Sequence, residues 1–378
     1  MRSVKRMSIV LVLLMGVVLL CFDVGSKSKD KTAHLKPVMC VDFDVSMGKG
    51  TTEFEGIFSN PEDIRKYAIV KGLYEANKPS IAKASTIPKI PKIIHQVWIG
   101  PKMPPPYFEV FQEHIRSFHP DWQYNLWTDS KLDSLNLGMR DLIDASTNFG
   151  EKSDIIRSEL LDRFGGVYID VDIDPILALD ELHKKYDFYV GLENPHIVAT
   201  SQSRVWVGIS IIAACPGHPI IKRWKELIRS GWEDAYRNFS SSVEQVVNHT
   251  FFPFTRAFFE KCEEGSYVNI AFPPTYFYPF APGFAAKRRS FLRSCKENVY
   301  EFLEDIKVKR PRAFSRIRPE TIAVHYWGNS WMPSQPLQLK SLQYQLDLLK
   351  SDFYLMQKRL YELEKAGNAQ AAVATSSG

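Results

Sequence analysis

Residues 154–174 read Asp-Ile-Ile-Arg-Ser-Glu-Leu-Leu-Asp-Arg-Phe-Gly-Gly-Val-Tyr-Ile-Asp-Val-Asp-Ile-Asp, and this stretch decides the fold. It predicts a helix, a Gly-Gly turn and an apolar strand that ends in acidic residues. Because alternate residues of a strand point to one face, we expect Asp170 and Asp172 to direct two carboxylates at one point beyond the strand. Such a pair of hard oxygen ligands suits Mg²⁺ or Mn²⁺ that carries a phosphate.

Helical and extended patterns alternate on both sides of this stretch. The predicted strands are Ile90–Gly100, Trp122–Thr128, Val167–Asp170, Asp187–Leu192, Val205–Ala214 and Thr321–Tyr326. The predicted helices are Tyr107–Phe118, one capped by Asp129, one capped by Ser153 or Asp154, His218–Arg229 and Ser242–Cys262. This alternation predicts an α/β fold with helices on both faces of a sheet. Ligands of such sheets bind beyond the carboxyl ends of the strands, where Trp98, Asp170 and Asp172 fall.

The composition is that of a globular protein. The chain has 378 residues, of which 45% are hydrophobic and 24% charged, and 48 basic against 43 acidic residues give a formal charge of +5. This mild excess favours anionic ligands, and no nucleic-acid-binding motif accompanies it. The cysteines that lie beyond the first 26 residues permit two disulfides or remain buried free thiols: Cys40, Cys215, Cys262 and Cys295. The absence of C-x-x-C argues against a zinc site.

The amino terminus predicts entry into the secretory route. Arg2, Lys5 and Arg6 precede an apolar run from Met7 to Phe22, and we interpret residues 1–26 as a signal anchor, with a cleaved signal peptide as the alternative. The expected location is the Golgi or endoplasmic reticulum membrane, as a single-pass type II protein with a lumenal catalytic domain; the alternative is secretion. Two N-x-S/T triplets, which begin at Asn238 and Asn248, agree with a lumenal domain.

The remaining segments have distinct compositions. Residues 27–86 predict a stem with one short helix across Pro61–Ala76, residues 87–335 the catalytic domain, and residues 367–378 a disordered tail. Residues 336–366 predict an amphipathic helix, because leucines and other apolar residues recur at spacings of three and four from Leu339 to Leu363. This stripe either joins two chains in a homodimer or packs on the domain.

Two further acidic motifs are similar to known functional motifs, but we do not assign those functions to them. Val41-Asp-Phe-Asp-Val-Ser46 is similar to the strand-end motif of aspartyl-phosphate phosphatases, but no second acidic motif supports that chemistry, and we expect a loop. Residues 170–181 are similar to a calcium loop, but Pro175 occupies the position where that loop needs glycine.

Transfer from a sugar nucleotide needs a platform for the base, a divalent metal for the diphosphate and polar groups for the sugar. Trp98 at a strand end can stack on a base, although such a tryptophan also fits a core position. Asp154 and Arg157 lie three residues apart on one helix face, as sugar-binding groups or as an ordinary surface ion pair.

Several segments together resemble the DxD sugar-transferase family 32, over roughly residues 88 to 331. They are Ile93-Ile-His-Gln-Val-Trp-Ile-Gly100, Trp122–Asp129, Arg157, Phe164-Gly-Gly-Val-Tyr-Ile-Asp-Val-Asp172 and His325-Tyr-Trp-Gly-Asn-Ser-Trp331. The family includes fungal initiation-type α-mannosyltransferases and inositol-phosphoceramide mannosyltransferases, and is distantly related to the large glucosylating toxins.

The resemblance implies a retaining glycosyltransferase with a GT-A fold, a mixed sheet flanked by helices, that uses Mn²⁺ (or Mg²⁺) and a nucleotide-diphosphate sugar. It implies the following roles: Trp98 for the base, Asp154 and Arg157 for the sugar, Asp170 for ribose or sugar, Asp172 and His325 for the metal, and Ser330 with Trp331 for a loop over the diphosphate. Asp170, Asp172 and Arg157 would form the catalytic group. Ser210 stands near a position where the family often has asparagine, which leaves the acceptor side unassigned.

We therefore expect a secretory-pathway hexosyltransferase, with mannose favoured, that acts on a glycan or glycolipid acceptor. No further apolar span follows the domain, and this disfavours the inositol-lipid branch. The alternative is a catalytically inactive, membrane-tethered scaffold; a phosphate-ester hydrolase is a third option. Convergence of Asp170, Asp172 and His325 on one ion separates the enzyme from the scaffold.

Overall fold

The computed structural model describes residues 38–105, 107–198, 201–282 and 317–328. The strands in these ranges are β1 (Ile93–Val97), β2 (Gln123–Trp127), β3 (Gly166–Ile169), β4 (Ile173–Pro175), β5 (Phe188–Leu192), β6 (Val207–Ala214), β7 (Asn269–Phe272) and β8 (Ala323–His325). The α-helices are α1 (Phe43–Ser46), α2 (Thr52–Glu55), α3 (Pro61–Asn77), α4 (Tyr107–Phe118), α5 (Asp129–Leu132), α6 (Arg140–Ala145), α7 (Phe149–Phe164), α8 (Asp180–Lys185), α9 (Pro219–Asn238), α10 (Ser242–Val246) and α11 (Phe252–Lys261). A π-helical segment, Val247–Phe251, joins α10 to α11, and short 3₁₀ turns lie at Gly56–Ser59 and Pro274–Tyr276.

The main sheet has the strand order β2-β1-β3-β6-β5-β7. β2, β1 and β3 are parallel to one another, and β5 is parallel to β7. β6 is antiparallel to both of its neighbours, β3 and β5, so those two strands share one direction. The carboxyl ends of β1, β3 and β5 therefore meet at one edge of the sheet, and the predicted mixed α/β sheet flanked by helices is confirmed.

A separate two-stranded ribbon brings a late segment of the chain to this edge. β4 follows β3 after a short turn and pairs antiparallel with β8, with Ile173 opposite His325. The sequence patterns predicted β8 within Thr321–Tyr326 but not the three-residue β4. This pairing matters for the site, because it fixes His325 beside the acidic turn.

The segment predicted as a stem packs, from Val38 onward, on the same core as the sheet. α3 contacts β7, where Asn77 donates to the Asn269 carbonyl at 2.9 Å and Tyr74 and Tyr276 share a hydroxyl hydrogen bond of 3.0 Å. The predicted stem of residues 27–86 is thus, over α1 to α3, part of the domain. Its acidic motif is structural too, since the Asp42 side chain caps α1 where we expected a loop.

Helix α7 begins earlier than predicted. Asn148 is the cap, and its side chain accepts from the backbone N–H groups of Gly150 and Glu151 at 2.8 and 3.3 Å. The prediction that Ser153 or Asp154 caps this helix is wrong, because both residues lie a full turn inside it. Their side chains contact residues near the sheet edge instead: the Ser153 hydroxyl bonds the Tyr168 hydroxyl at 3.2 Å, and Asp154 pairs with Arg157 at 3.0 Å.

Cys40, Cys215 and Cys262 are free thiols in the described ranges, and Cys295 lies outside them. None of the helices described above has the length and apolar character that a bilayer crossing needs. The predicted anchor (1–26), the amphipathic helix (336–366) with its dimerisation stripe, and the tail (367–378) all lie outside the described residues.

Candidate metal centre

Asp170, Asp172 and His325 form a cluster at the sheet edge. One ligand atom from each lies within 4.8 Å of the others, and His325 Nε2 is 3.3 Å from Asp172 Oδ1. The two aspartates come from the turn after β3, and the histidine ends β8, about 150 residues later in the chain. The predicted convergence is therefore confirmed.

The reason for this convergence differs from the predicted one. β3 ends at Ile169, and Asp170 begins a turn closed by the Ile173 N–H to the Asp170 carbonyl at 3.1 Å. The alternation of a continuous strand is thus not what aligns the two carboxylates. Asp174 points elsewhere, since its carboxylate accepts a 2.7 Å hydrogen bond from His114 Nδ1, and it takes no part in the cluster.

Asp172 is held ionised by its partners. Its Oδ2 accepts from the Gly328 N–H at 2.5 Å, and its own carbonyl accepts from the Tyr326 N–H at 3.0 Å. Burial alone would raise the pKa of Asp172, but the charge and hydrogen bond of His325 outweigh burial and lower it. Burial likewise opposes protonation of His325, yet Asp172 raises the pKa of this imidazole.

Gly328 permits a close approach of backbone to this carboxylate. A Cβ at this position would lie 2.6 Å from the Tyr107 hydroxyl oxygen and 3.0 Å from Asp172 Oδ2. A side chain at this position would therefore crowd the Tyr107 hydroxyl and the Asp172 carboxylate.

Asp170 is the most open member of the cluster, with a quarter of its side chain exposed. Its Oδ1 accepts from the Tyr168 hydroxyl at 2.7 Å and lies 3.2 Å from Arg157 Nη2. Its carbonyl accepts from the Gln96 amide at 3.4 Å. Desolvation raises the pKa of Asp170; Arg157 opposes this rise and the neighbouring Asp172 charge adds to it.

Arg157 connects the cluster to Asp154. Both residues are almost fully buried, and Arg157 Nη2 lies 3.0 Å from Asp154 Oδ1, which excludes an ordinary surface ion pair. The guanidinium stacks 4.0 Å from the centre of the Tyr168 ring and donates to the Ile209 carbonyl of β6 at 2.6 Å. Burial raises the pKa of Asp154 to about 6, against the opposing charge of Arg157.

Thr250, in the π-helical segment, holds Asp154 from the other side. Its hydroxyl, fully buried, bonds Asp154 Oδ2 at 2.5 Å and the Val246 carbonyl at 2.9 Å. Thr250, the threonine of the triplet that begins at Asn248, is thus buried and hydrogen-bonded inside the fold. Asn238, which begins the other triplet at the end of α9, is exposed. Single π-helical turns recur at functional sites, because the extra residue redirects a side chain.

Trp98 follows β1 at the same sheet edge and is partly exposed. Its indole N–H donates to the Lys102 carbonyl at 2.7 Å, and its ring stacks on Phe108 at a centroid distance of 6.2 Å. One face of the indole is therefore covered by the protein. Ser330 and Trp331 lie outside the described residues.

Tyr278 is a buried residue that the sequence patterns did not predict for this site. Its ring packs edge-on to His325 at 5.4 Å, over Gly191 of β5 and Gly208 of β6. A Cβ on Gly191 would lie 2.6 Å from this ring, and one on Gly208 would collide with the hydroxyl. In the sequence, Gly191 and Gly208 in neighbouring strands are the feature that indicates a large side chain packed across the sheet.

The cluster fits a divalent cation with octahedral coordination. Ligands about 2.1 Å from Mg²⁺, or slightly farther from Mn²⁺, lie roughly 3 to 4.5 Å from one another, and the donor atoms here need only small shifts. Two carboxylates and an imidazole are a donor set that suits a divalent cation and not a soft, thiolate-seeking metal. The buried Nδ1 of His325 has no hydrogen-bond partner among the described residues, while the ring packs between Tyr278 and Trp327 at 5.4 and 4.3 Å.

Residues 105–189 match the family model described as a glycosyltransferase sugar-binding region containing a DXD motif. This range contains Asp154, Arg157, Asp170 and Asp172, while Trp98 and His325 lie outside it. The predicted resemblance to DXD sugar transferases is thus confirmed for the segment that carries the acidic turn.

The curated relatives are fungal enzymes. The chain is 31% identical over 140 residues to inositol phosphoceramide mannosyltransferase 1 of Schizosaccharomyces pombe, covering 35% of this chain and 41% of the relative. It is 26% identical over 201 residues to mannosyl phosphorylinositol ceramide synthase CSH1 of Saccharomyces cerevisiae, covering 50% and 48%. The chain thus spans less than half the length of these relatives.

Among solved structures, similar chains include the PaToxG glycosyltransferase, at 17% identity and a TM-score of 0.34, with 67% of this chain and 89% of that chain covered. Another is the galactosyltransferase LgtC in complex with donor and acceptor sugar analogues, at 10% identity and a TM-score of 0.34, with 63% and 88% covered.

Proposed function

We propose that this chain, whose residues 105–189 match the DXD sugar-binding region of glycosyltransferases, moves a hexose from a nucleotide-diphosphate sugar to a hydroxyl of a glycan or glycolipid. The observation that carries this proposal is the convergence of Asp170, Asp172 and His325, from segments far apart in the sequence, at the carboxyl edge of the sheet. We favour mannose, Mn²⁺ and retention of the anomeric configuration.

In this proposal Asp172 and His325 would hold the divalent ion, and the more exposed Asp170 lies beside them. The ion supplies positive charge that stabilises the departing diphosphate. Asp172 already has the ionised form that a ligand needs, since the Gly328 N–H and His325 lower its pKa. His325 would have to release a proton to ligate the ion, because Asp172 raises the pKa of its imidazole.

Asp154 and Arg157 are the proposed sugar-side groups. The Arg157 guanidinium is fixed by the Ile209 carbonyl, the Tyr168 ring and both neighbouring carboxylates, so its orientation is set before any ligand arrives. Asp154, with a pKa of about 6, can accept or donate hydrogen bonds to a sugar hydroxyl near neutral pH. Trp98 is the proposed platform for the base, with Ser330 and Trp331 closing over the diphosphate.

The fungal relatives, which are named for inositol phosphoceramide, make an inositol-phosphate-bearing lipid a candidate acceptor beside a glycan. We therefore keep an inositol-lipid acceptor as a candidate, although the sequence patterns disfavoured it. We place the protein in the Golgi or endoplasmic reticulum membrane through residues 1–26, or alternatively outside the cell, with a homodimer through residues 339–363 as an option. The inactive-scaffold alternative would be favoured if Asp170, Asp172 and His325 lay apart. They lie close together, and this argues against it.

The test uses the purified chain with a panel of nucleotide-diphosphate sugars, led by GDP-mannose. We expect release of the nucleoside diphosphate that depends on Mn²⁺ and stops on chelation with EDTA. Asp172→Asn should lower the rate at least a hundredfold and weaken Mn²⁺ binding in calorimetry. Asp144→Asn, an exposed aspartate paired with Arg140, is the matched control and should leave both unchanged. Turnover of no donor, or turnover that survives Asp172→Asn, contradicts the proposal.

A further inference from the structure

Glu193 is a buried carboxyl at the same sheet edge that nothing above uses. It follows β5 directly, and its side chain is 6% exposed. Within the described ranges no side-chain hydrogen bond reaches this carboxyl, and its charged neighbour, His196 Nε2, is 3.6 Å away. Desolvation raises the pKa of Glu193, while the charges of His196 and His325 oppose the rise.

The sheet register places Glu193 beyond the metal centre. The backbone N–H of Asp170 bonds the Ser210 carbonyl, whereas the N–H of Glu193 bonds the carbonyl of Trp206, four residues farther out along β6. At about 3.3 Å per residue this is an offset of roughly 13 Å toward the outside of the sheet edge. Glu193 therefore lies on the outer side of the proposed donor site, where a second substrate would approach.

The segment that carries Glu193 is joined to the metal centre through Tyr278. Asn194, the next residue, bonds the backbone of Tyr278, and the Tyr278 ring packs edge-on to His325 at 5.4 Å. The loop that carries Glu193 is itself anchored, because the Trp206 indole donates to the His196 carbonyl at 2.9 Å and Asn194 donates to the Tyr278 carbonyl at 2.7 Å.

A buried carboxyl without a hydrogen-bond partner costs free energy, and such groups persist at functional sites. Glu151, another buried acid, accepts hydrogen bonds from Ser146, Tyr236 and His249. Glu193 has no such side-chain donors among the described residues, so its carboxyl has hydrogen-bonding capacity left for a ligand.

We propose that Glu193 binds the hydroxyl of the acceptor substrate and orients it toward the sugar held beside the metal centre. The proposal rests on the glycosyltransferase function above and assigns the acceptor side, where Ser210 had left no candidate. A carboxyl at this position can accept the hydrogen of the attacking hydroxyl, or donate to its oxygen, while the oxygen is positioned.

The experiment compares Glu193→Ala and the isosteric Glu193→Gln with the wild-type full chain. With GDP-mannose as donor and methyl α-mannoside, myo-inositol 1-phosphate or lactose as acceptor probe, transfer and donor hydrolysis are measured separately. We expect Glu193→Ala to raise the acceptor KM at least tenfold, with donor hydrolysis kept within twofold. Glu193→Gln should recover part of the loss, since the amide still hydrogen-bonds.

Binding measurements separate the two proposals. Calorimetry with GDP and Mg²⁺ reports the donor site, and saturation-transfer NMR reports the acceptor probes. Absence of GDP binding to the wild type counts against the proposed function itself. If GDP binds to the wild type, three results overturn the role of Glu193. Either the acceptor signals are equal in Glu193→Ala and the wild type, or they are absent from the wild type, or Glu193→Ala loses acceptor signals and GDP binding together. A thermal melt of each variant identifies loss of fold.

Discussion

Thr250 in the π-helical segment and Asp154 in α7 are joined by a hydrogen bond between a fully buried hydroxyl and a carboxylate whose pKa is raised to about 6. The bond links two helices 96 residues apart at the proposed sugar side of the site. The π-helical segment thus supplies the hydroxyl that fixes Asp154 from the side opposite Arg157.

Removing this hydroxyl should weaken both fold and donor binding. For Thr250→Val we expect a loss of about 1–3 kcal/mol in the free energy of unfolding, because a buried carboxylate loses its donor. The donor KM should rise, since Asp154 is no longer fixed. Urea unfolding and donor kinetics measure the two effects, and Thr250→Ser, which keeps the hydroxyl, should behave nearly as wild type. A stable, fully active Thr250→Val would refute the role of this contact.

Arg157→Lys should be severely disruptive although the charge is kept. A single ammonium cannot bond Ile209 and both carboxylates, or stack on Tyr168, at the same time. We expect the loss of stability typical of a broken buried ion pair, about 3–5 kcal/mol, and donor turnover reduced at least a hundredfold. Arg140→Lys, in an exposed pair with Asp133 and Asp144, is the control and should change little.

Gly208→Ala should displace Tyr278 and, through it, His325. The new methyl group would collide with the phenol oxygen, so we expect destabilisation of about 1–3 kcal/mol by overpacking and weaker Mn²⁺ binding. The new Cβ would also lie 2.5 Å from the ring carbon Cζ, so Tyr278→Leu, which removes both the oxygen and the ring, should restore part of the loss in the double variant. A double-mutant cycle on stability and Mn²⁺ affinity measures this coupling, and strict additivity would show that the two residues do not interact.

The protein should lose stability in mild acid because three buried histidines are held neutral. In each ring one nitrogen accepts from an N–H while the other donates to an oxygen. The accepting bonds are Trp127 Nε1 to His95 Nδ1 at 3.0 Å, Leu179 N to His119 Nε2 at 3.0 Å, and Ile220 N to His218 Nδ1 at 3.3 Å. Burial lowers the pKa of His95 and His218 to about 4 and lowers that of His119.

The unfolded chain binds these protons near pH 6.5, so it holds more protons than the folded protein between pH 6.5 and about 4. Stability should be full above pH 6.5 and fall as the pH drops through this window, by at most about 1.4 kcal/mol per pH unit for each ring. Urea midpoints at pH 7.5, 6 and 5 test this. His218→Gln should make the pH dependence shallower, and an unchanged slope would argue against the assignment.

Long, strongly patterned elements could be predicted from sequence. α4, β1 and β6 follow apolar periodicities, and the acidic turn after β3 was recognisable because Asp170 and Asp172 end an apolar run. The sequence predicted α3 as a short helix in a stem and not as part of the domain. Its buried face contains Asp63, whose carboxylate accepts from the Ser203 hydroxyl and the Arg204 N–H only in the folded state. β4 and β7 are too short to leave a pattern.

The residues that cluster at the candidate site could be predicted from the sequence, whereas the residues that contact them could not. Asp172 and His325 carry recognisable chemistry at strand ends. Thr250, Tyr278 and Glu193 contribute through tertiary contacts between segments that no local pattern relates, and only the glycines of β5 and β6 hinted at one of them. Trp98 remains a prediction, because the base it would stack on is not part of the protein alone.

The pairing of β4 with β8 also sets an order of events during synthesis. A nascent chain that has emerged through β7 already contains every strand of the main sheet, yet it lacks His325 and the Gly328 N–H that secure Asp172. The metal centre is then completed only when the last described segment docks. The main sheet alone therefore does not assemble the proposed ligand set, which also needs the pairing of β4 with β8.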